Sequence, residues 1–221
     1  AQNNWNWIHP KPMGEKILDI EFTSNNIGYA SGQCGHIIKT KNQGNTWFSL
    51  GSIDESSIMS ISFINDTTGW AITYSGRIYK TKNGINWFRL NDNISGGLFL
   101  SLKFLNSNKG FIGTELGMLY KTTDGGITWT QVSNNNGKIR DIFFYDNNLG
   151  FAAGSNGRII KTSNGGNNWT QYNTGDTQYF CSVFFPNNNV GYLTGAYCLY
   201  KTNNGGNTWY EINTSFNKII S

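Results

Sequence analysis

Short runs in which apolar and polar residues alternate recur along the whole chain, each followed by a polar, Asn-rich stretch. Leu18, Ile20 and Phe22 are answered by Met59, Ile61 and Phe63, then Leu100, Leu102 and Phe104, then Arg140, Ile142 and Phe144, then Cys181, Val183 and Phe185. A period of two built from β-branched and aromatic side chains predicts a strand, and Asn25-Asn26, Asn147-Asn148 and Asn187-Asn188-Asn189 predict the turns that follow. A second strand is predicted at each glycine-aromatic pair: Gly28-Tyr29, Gly69-Trp70, Gly110-Phe111, Gly150-Phe151 and Gly191-Tyr192. A third carries Ile37-Ile38-Lys39-Thr40 and its copies, and a fourth begins at a tryptophan. No segment shows convincing helical periodicity.

The unit repeats. Its Lys-Thr pairs end at Thr40, Thr81, Thr122, Thr162 and Thr202, spacings of 41, 41, 40 and 40 residues, and each leads through a polar turn to Trp47, Trp87, Trp129, Trp169 or Trp209. A unit of this length cannot bury its apolar face alone and must stack on its copies. Four strands per repeat, with a turn every 8 to 12 residues or so, is the arithmetic of a propeller blade. The expected fold is therefore all-β, a β-propeller of five four-stranded blades spanning residues 9–215, with a tail at 216–221. Residues 1–8 pose a separate question, because Asn4-Trp5-Asn6-Trp7-Ile8 looks like the start of a further fourth strand, with Trp7 40 residues before Trp47. That strand closes the ring, lies as an extra outer strand, or is offered to a neighbouring chain by strand addition.

The turn before each tryptophan carries a resemblance. Thr122-Thr123-Asp124-Gly125-Gly126-Ile127-Thr128-Trp129 matches the Asp-box, or bacterial neuraminidase repeat, whose pattern is Ser/Thr-x-Asp-x-Gly-x-Thr-Trp. Three copies carry asparagine in the aspartate position: Thr40, Asn42, Gly44, Trp47; Thr162, Asn164, Gly166, Trp169; and Thr202, Asn204, Gly206, Trp209. The copy from Thr81 through Asn83 to Trp87 is one residue short. Together with the Gly-aromatic and Gly-x-Ile-x-Lys-Thr strands, the whole repeat resembles the photosystem II assembly and stability factor family of Asp-box propellers. The chemistry of the turn is that of a folding staple: the Asp or Asn accepts backbone N–H groups a few residues on, the glycine supplies positive φ, and the tryptophan buries its ring. The Asp-box residues are thus read as structural rather than catalytic or metal-binding, and the resemblance places the active site of the enzymes that share the motif on the opposite face.

Composition narrows the function classes. The net charge is only +4, and the 13 lysines and 4 arginines form no basic run, so the excess reads as a solvated face and nucleic-acid binding is not expected. No apolar stretch approaches the roughly 20 residues of a spanning helix. The Ala1-Gln2 start and the abundance of Asn, Gly, Ser and Thr suggest a secreted or extracytoplasmic location, in the periplasm, on the outer membrane surface or outside the cell. Cys34, Cys181 and Cys198 form no metal pattern with His9 and His36; Cys34 and Cys198, in repeats one and five, are either a disulfide across the ring closure or, with Cys181, buried free thiols. No cofactor and no metal are implied.

Candidate functional residues come from the loops between blades and between second and third strands. Arg77 and Arg158 are equivalent positions after two such turns, and Arg140 stands where the other repeats have Leu18, Met59, Leu100 and Cys181, which reads as an arginine at the central channel. Asp19, Ser60, Ser101, Asp141 and Ser182 form a polar ring at one repeat position, read either as hydrogen-bond partners of neighbouring strands or, with Arg140 and Tyr179, as the floor of a pocket. The candidate binding residues are Arg77, Arg140, Arg158, Asp141, Glu115, Tyr179 and Tyr197. A glycosidase needs a carboxylate pair, and Asp54, Glu55, Glu115, Asp141 and Asp176 offer no spacing that selects one; a sialidase-like site needs three converging arginines, of which only four exist in the chain. The expected function is a non-catalytic scaffold that binds a protein partner in an envelope or extracellular assembly, with presentation of Arg77, Arg140 and Arg158 implied by the assembly-factor resemblance. The alternatives are a glycan-binding module using Tyr74, Tyr179 and Tyr197, or a sialidase-like hydrolase.

Overall fold

The computed structural model describes residues 15–90, 94, 97–134, 137–174 and 177–212. The proposed N-terminal strand, the C-terminal tail, His9 and Asp176 lie outside them. The described residues form five four-stranded antiparallel sheets, each a meander in sequence order. The first blade contains β1 (Ile17–Phe22), β2 (Gly28–Gly32), β3 (His36–Thr40) and β4 (Trp47–Ser52); the second β5 (Ile58–Phe63), β6 (Gly69–Thr73), β7 (Ile78–Thr81) and β8 (Trp87–Arg89). The third contains β9 (Phe99–Phe104), β10 (Gly110–Thr114), β11 (Met118–Thr122) and β12 (Thr130–Asn134); the fourth β13 (Ile139–Phe144), β14 (Gly150–Gly154), β15 (Arg158–Thr162) and β16 (Thr170–Asn173). The fifth contains β17 (Phe180–Phe184), β18 (Gly191–Gly195), β19 (Leu199–Thr202) and β20 (Tyr210–Glu211). One 3-10 turn, Gln33–Gly35, interrupts the strands. The chain divides into two compact units, Ala1–Leu90 with blades one and two and Asn91–Ser221 with blades three to five.

The glycine-aromatic pairs at the start of each second strand have a packing cause. The phenylalanine at the end of the first strand, or just past it in blade five, lies against the glycine that opens the second strand, so a Cβ on Gly69, Gly110, Gly150 or Gly191 would sit 2.4–2.7 Å from the ring of Phe63, Phe104, Phe144 or Phe185. The next aromatic points to the other face and stacks on the following blade's phenylalanine: Tyr29 on Phe63 (3.9 Å between centroids), Phe111 on Phe144 (4.8 Å) and Phe151 on Phe185 (3.9 Å). The Asp-box tryptophan meets the same phenylalanine edge-on, at 5.8 Å for Phe63 and Trp87 and 5.7 Å for Phe185 and Trp209. The core is thus a series of aromatic layers between blades, stacked and T-shaped as the ring quadrupoles prefer.

The first strands depart from simple alternation. In each blade the register between first and second strand slips by one residue near the strand start, a β-bulge. The slip falls at Leu18, Met59, Leu100, Arg140 and Cys181, so these are bulge residues, and the core positions are their predecessors Ile58, Phe99, Ile139 and Phe180, all fully buried. Ile139 fills the core, and Arg140, at the bulge position, is exposed. Behind the bulge the backbones come close, and a Cβ on Gly154 would lie 1.6 Å from the Lys138 carbonyl oxygen.

The three cysteines are free, with Cys34 exposed, Cys181 intermediate and Cys198 buried, so the expectation of buried thiols holds for Cys198 alone. No helix among the described residues is long and apolar enough to cross a membrane.

Candidate binding surface

The Asp-boxes fold as staples. In the aspartate copy Thr122 Oγ1 donates to Asp124 (2.8 Å) and accepts the Gly126 N–H (3.0 Å), while the Asp124 carboxylate accepts the N–H groups of Ile127 (3.0 Å) and Thr128 (2.9 Å) and the Thr128 hydroxyl (2.5 Å). Those bonds, the Thr128 hydroxyl foremost and then its N–H, hold the Asp124 pKa down at about 2. Asn42 reproduces the scheme through one oxygen, accepting the Thr46 N–H at 2.9 Å while its amide donates to Thr46 Oγ1 at 2.8 Å, and Asn204 does the same with Thr208. Asn164 accepts the N–H groups of Asn167 and Asn168. In the short copy Gly84 sits three residues after Thr81 and its N–H still reaches the Thr81 hydroxyl, at 2.9 Å, while Asn83 accepts the N–H groups of Ile85 and Asn86. Trp129 donates its indole N–H to the Gly126 carbonyl at 3.1 Å, a bond that Trp87, Trp169 and Trp209 lack.

The polar ring is also structural. Asp19 on β1 accepts the Ser60 hydroxyl (2.9 Å) and the Ile61 N–H (2.8 Å) of β5, and Asp141 on β13 accepts the Ser182 hydroxyl (2.8 Å) and the Val183 N–H (2.8 Å) of β17. Ser101 donates to the Ile139 carbonyl at 3.1 Å. Burial raises the Asp141 pKa, outweighing the Val183 N–H, the Ser182 hydroxyl and the Ile142 N–H that lower it. Asp141 therefore ties two blades together rather than lining a pocket.

The lysines of the Lys-Thr pairs, expected on a solvated face, reach across to the next blade's Asp-box. Lys39 Nζ donates to the Gly84 carbonyl (3.4 Å), Lys121 to Asn167 Oδ1 (2.6 Å) and Lys161 to Asn207 Oδ1 (2.8 Å). Burial lowers the pKa of all three.

Two of the candidate charges are spent locally. The Arg77 guanidinium contacts both carboxylate oxygens of Asp54 at 3.0 Å, and Tyr79 donates its hydroxyl to the same carboxylate at 2.6 Å. Burial works to raise the Asp54 pKa, but Tyr79, the Ser56 N–H and Arg77 together bring it below the ordinary value, and the Tyr79 phenol is pushed up to about 12, by burial first and then by Asp54. Glu115 pairs with Lys138. Of the five carboxylates considered for hydrolysis, Asp54, Glu115 and Asp141 thus have structural partners and Glu55 is exposed.

The other candidates stand at one end of the blades of the second unit. The hydrogen bonds from Ser101 to Ile139 and from Ser182 to Asp141 set the starts of β9, β13 and β17 side by side. The turns leading from β10 to β11, β14 to β15 and β18 to β19 share that end. There stand the exposed Arg140 at its bulge, Arg158 at the start of β15, the Glu115–Lys138 pair, and the exposed side chains of Leu116, Tyr179 and Tyr197. Arg77, in the first unit, stands at the matching end of its own blade with its side chain partly exposed. Sequence reasoning missed the lysine bridges and the Asp54–Arg77–Tyr79 cluster. The repeat of Lys before Thr was the available signal for the first, and nothing local pairs Asp54 with residues 23 and 25 positions away.

Five meandering four-stranded blades, each closed by a Thr-Asp/Asn-Gly staple, define an Asp-box β-propeller. Within that class the chain belongs to the photosynthesis system II assembly factor YCF48 family, whose profile matches residues 1–142 and again 132–218. Among solved structures it is similar to YCF48 from Cyanidioschyzon merolae, with 18% identity and a TM-score of 0.62 over 92% of this chain and 86% of that one. It is also similar to a structure of YCF48 bound to D1 peptide, with 19% identity and a TM-score of 0.53 over 90% of this chain and 81% of that one. An ancestral GH74 enzyme superposes with a TM-score of 0.73 at 19% identity, over 90% of this chain but 31% of the enzyme. These likenesses show the fold. No curated protein matches the chain in sequence.

Proposed function

We propose that this chain is a non-catalytic propeller that holds a segment of another protein, as an assembly or scaffold subunit acting outside the cytoplasm. The observation that carries the reading is Arg140, an exposed arginine at a β-bulge, at the same end of its blade as the exposed Tyr179, Tyr197 and Leu116 are of theirs, while Asp54, Glu115 and Asp141 are engaged in structure. Bulges re-aim side chains, and arginine with tyrosine is the composition of binding hot spots. Family membership supports it, since a relative's structure is that of YCF48 bound to D1 peptide. An arginine of this kind meets a carboxylate or backbone carbonyls of an extended segment.

The test is affinity capture from the source envelope by the wild-type chain and by Arg140→Ala, read by mass spectrometry, beside a glycan array. A stoichiometric protein captured by wild type and lost from Arg140→Ala supports the reading. Array binding without a protein partner replaces it with a lectin function at the tyrosine-bearing turns.

A further inference from the structure

The loop end of the second unit is built from one repeated pair of positions. In blades three and four a backbone bond sets the residue before the first strand beside the turn that follows the second strand: the Glu115 N–H donates to the Leu98 carbonyl (2.9 Å) and the Ser155 N–H to the Lys138 carbonyl (3.0 Å). In blade five the same approach is so close that a Cβ on Gly195 would lie 2.3 Å from the Tyr179 carbonyl oxygen. Each blade thus presents the residue before its first strand together with the residue in the middle of that turn. The pairs are Leu98 and Leu116 in blade three, Lys138 and Asn156 in blade four, and Tyr179 and Tyr197 in blade five. In the first unit the same positions hold Lys16 and Cys34 in blade one and Ser57 and Ser75 in blade two.

Exposure at the turn belongs to the position rather than to a blade's place in the chain, since Cys34, Ser75, Leu116, Asn156 and Tyr197 are exposed alike. What changes from blade to blade is the chemistry. Leu98 and Leu116 are 38% and 60% exposed, Tyr179 and Tyr197 54% and 60%, and these two apolar pairs flank a blade whose own pair is polar. At this end of blade four, Lys138 is answered by Glu115, and the Asp141 carboxylate is turned to Ser182 and Val183 of blade five, whereas Arg140 is exposed. Positive charge therefore stands between two apolar patches, and its complement is a carboxylate. Resting on the segment-binding reading above, we infer that the partner segment is an extended chain in which an acidic residue lies between two apolar anchors, one seated on Leu98 and Leu116 and the other on Tyr179 and Tyr197. Sheets packed face to face lie about 10 Å apart, so blades three to five span about 20 Å, which an extended chain covers in about six residues.

A random peptide library displayed on phage, selected on the intact chain and read by sequencing, tests it. The enriched peptides are expected to carry Asp or Glu with an apolar residue about three positions to either side. Leu98→Ser with Leu116→Ser, which copies the serines of blade two, should erase the apolar preference on one side and weaken a selected peptide about tenfold; Tyr179→Ser with Tyr197→Ser should do the same on the other side. Circular dichroism checks that the variants fold, and Tyr197→Ser alone serves if the double variant does not. Acidic peptides enriched without flanking apolar residues, or an apolar preference unchanged in both variants, overturn the two-anchor inference, and loss of those peptides from Arg140→Ala would leave the segment-binding reading standing. A wild-type chain that enriches no peptide overturns that reading and the inference with it.

Discussion

Asp124 shows how far a single residue can be read from its chemistry. Its carboxylate accepts more bonds than any of the asparagines in the other copies, yet those asparagines hold the same turn, so charge is not what closes it. Charge does bring a pH dependence. The folded pKa of about 2 lies below the ordinary value of 3.8, so Asp124 contributes stability above pH 4 or so that is lost as the pH falls through about 2. Thermal melts should therefore show Asp124→Asn less stable than wild type at pH 7, with the gap closing toward pH 2. Asp141 has the opposite sign: its pKa is raised, so the fold is favoured at this position as the pH drops through the carboxylate range. Trp129, 4% exposed and hydrogen-bonded, should cost about 3–5 kcal/mol on truncation to alanine by chemical denaturation.

At the scale of elements, the first strand is where pattern and structure part. Alternation identified the strand in every repeat, and its apolar positions Ile61, Leu102, Ile142 and Val183 are buried. One step earlier it failed, because a bulge inserts a residue and reverses which side faces inward. The close approach behind the bulge makes Gly154→Ala a sharp test: its Cβ would overlap the Lys138 carbonyl, a rigid backbone group, and urea denaturation should show a loss of roughly 1–3 kcal/mol or more. The loop before β5 supplies a second test. Asp54→Ala leaves the buried Tyr79 hydroxyl without its acceptor and should cost about 1–3 kcal/mol in the same measurement.

For the whole molecule, the repeated layers occupy one set of positions and the variable residues another. Staples, aromatic stacks and lysine bridges occupy the repeat-equivalent positions, while the loop end carries residues that differ from blade to blade, such as Leu116, Asn156 and Tyr197 at successive turns. Arg140→Ala should leave the melting temperature within about 1 °C of wild type, since exposed surface substitutions change stability little, while reducing partner capture; a large drop in melting temperature would identify Arg140 as structural and remove it from the binding surface.

Sequence alone determined the blade count, the strand order within each blade and the position of every Asp-box, because these rest on local periodicity and turn chemistry repeated at fixed spacing. Tertiary structure decided the roles of individual charges. Lys39, Lys121 and Lys161 looked solvated until the next blade's turn was seen beside them, Asp54 and Arg77 looked like separate loop residues until a buried tyrosine joined them, and Arg140 proved to sit at a bulge with Ile139, one residue earlier, filling the core. The physical reason is range: a turn is settled by neighbours within a few residues, whereas the partner of a charge is settled by which blade packs against it, about forty residues away.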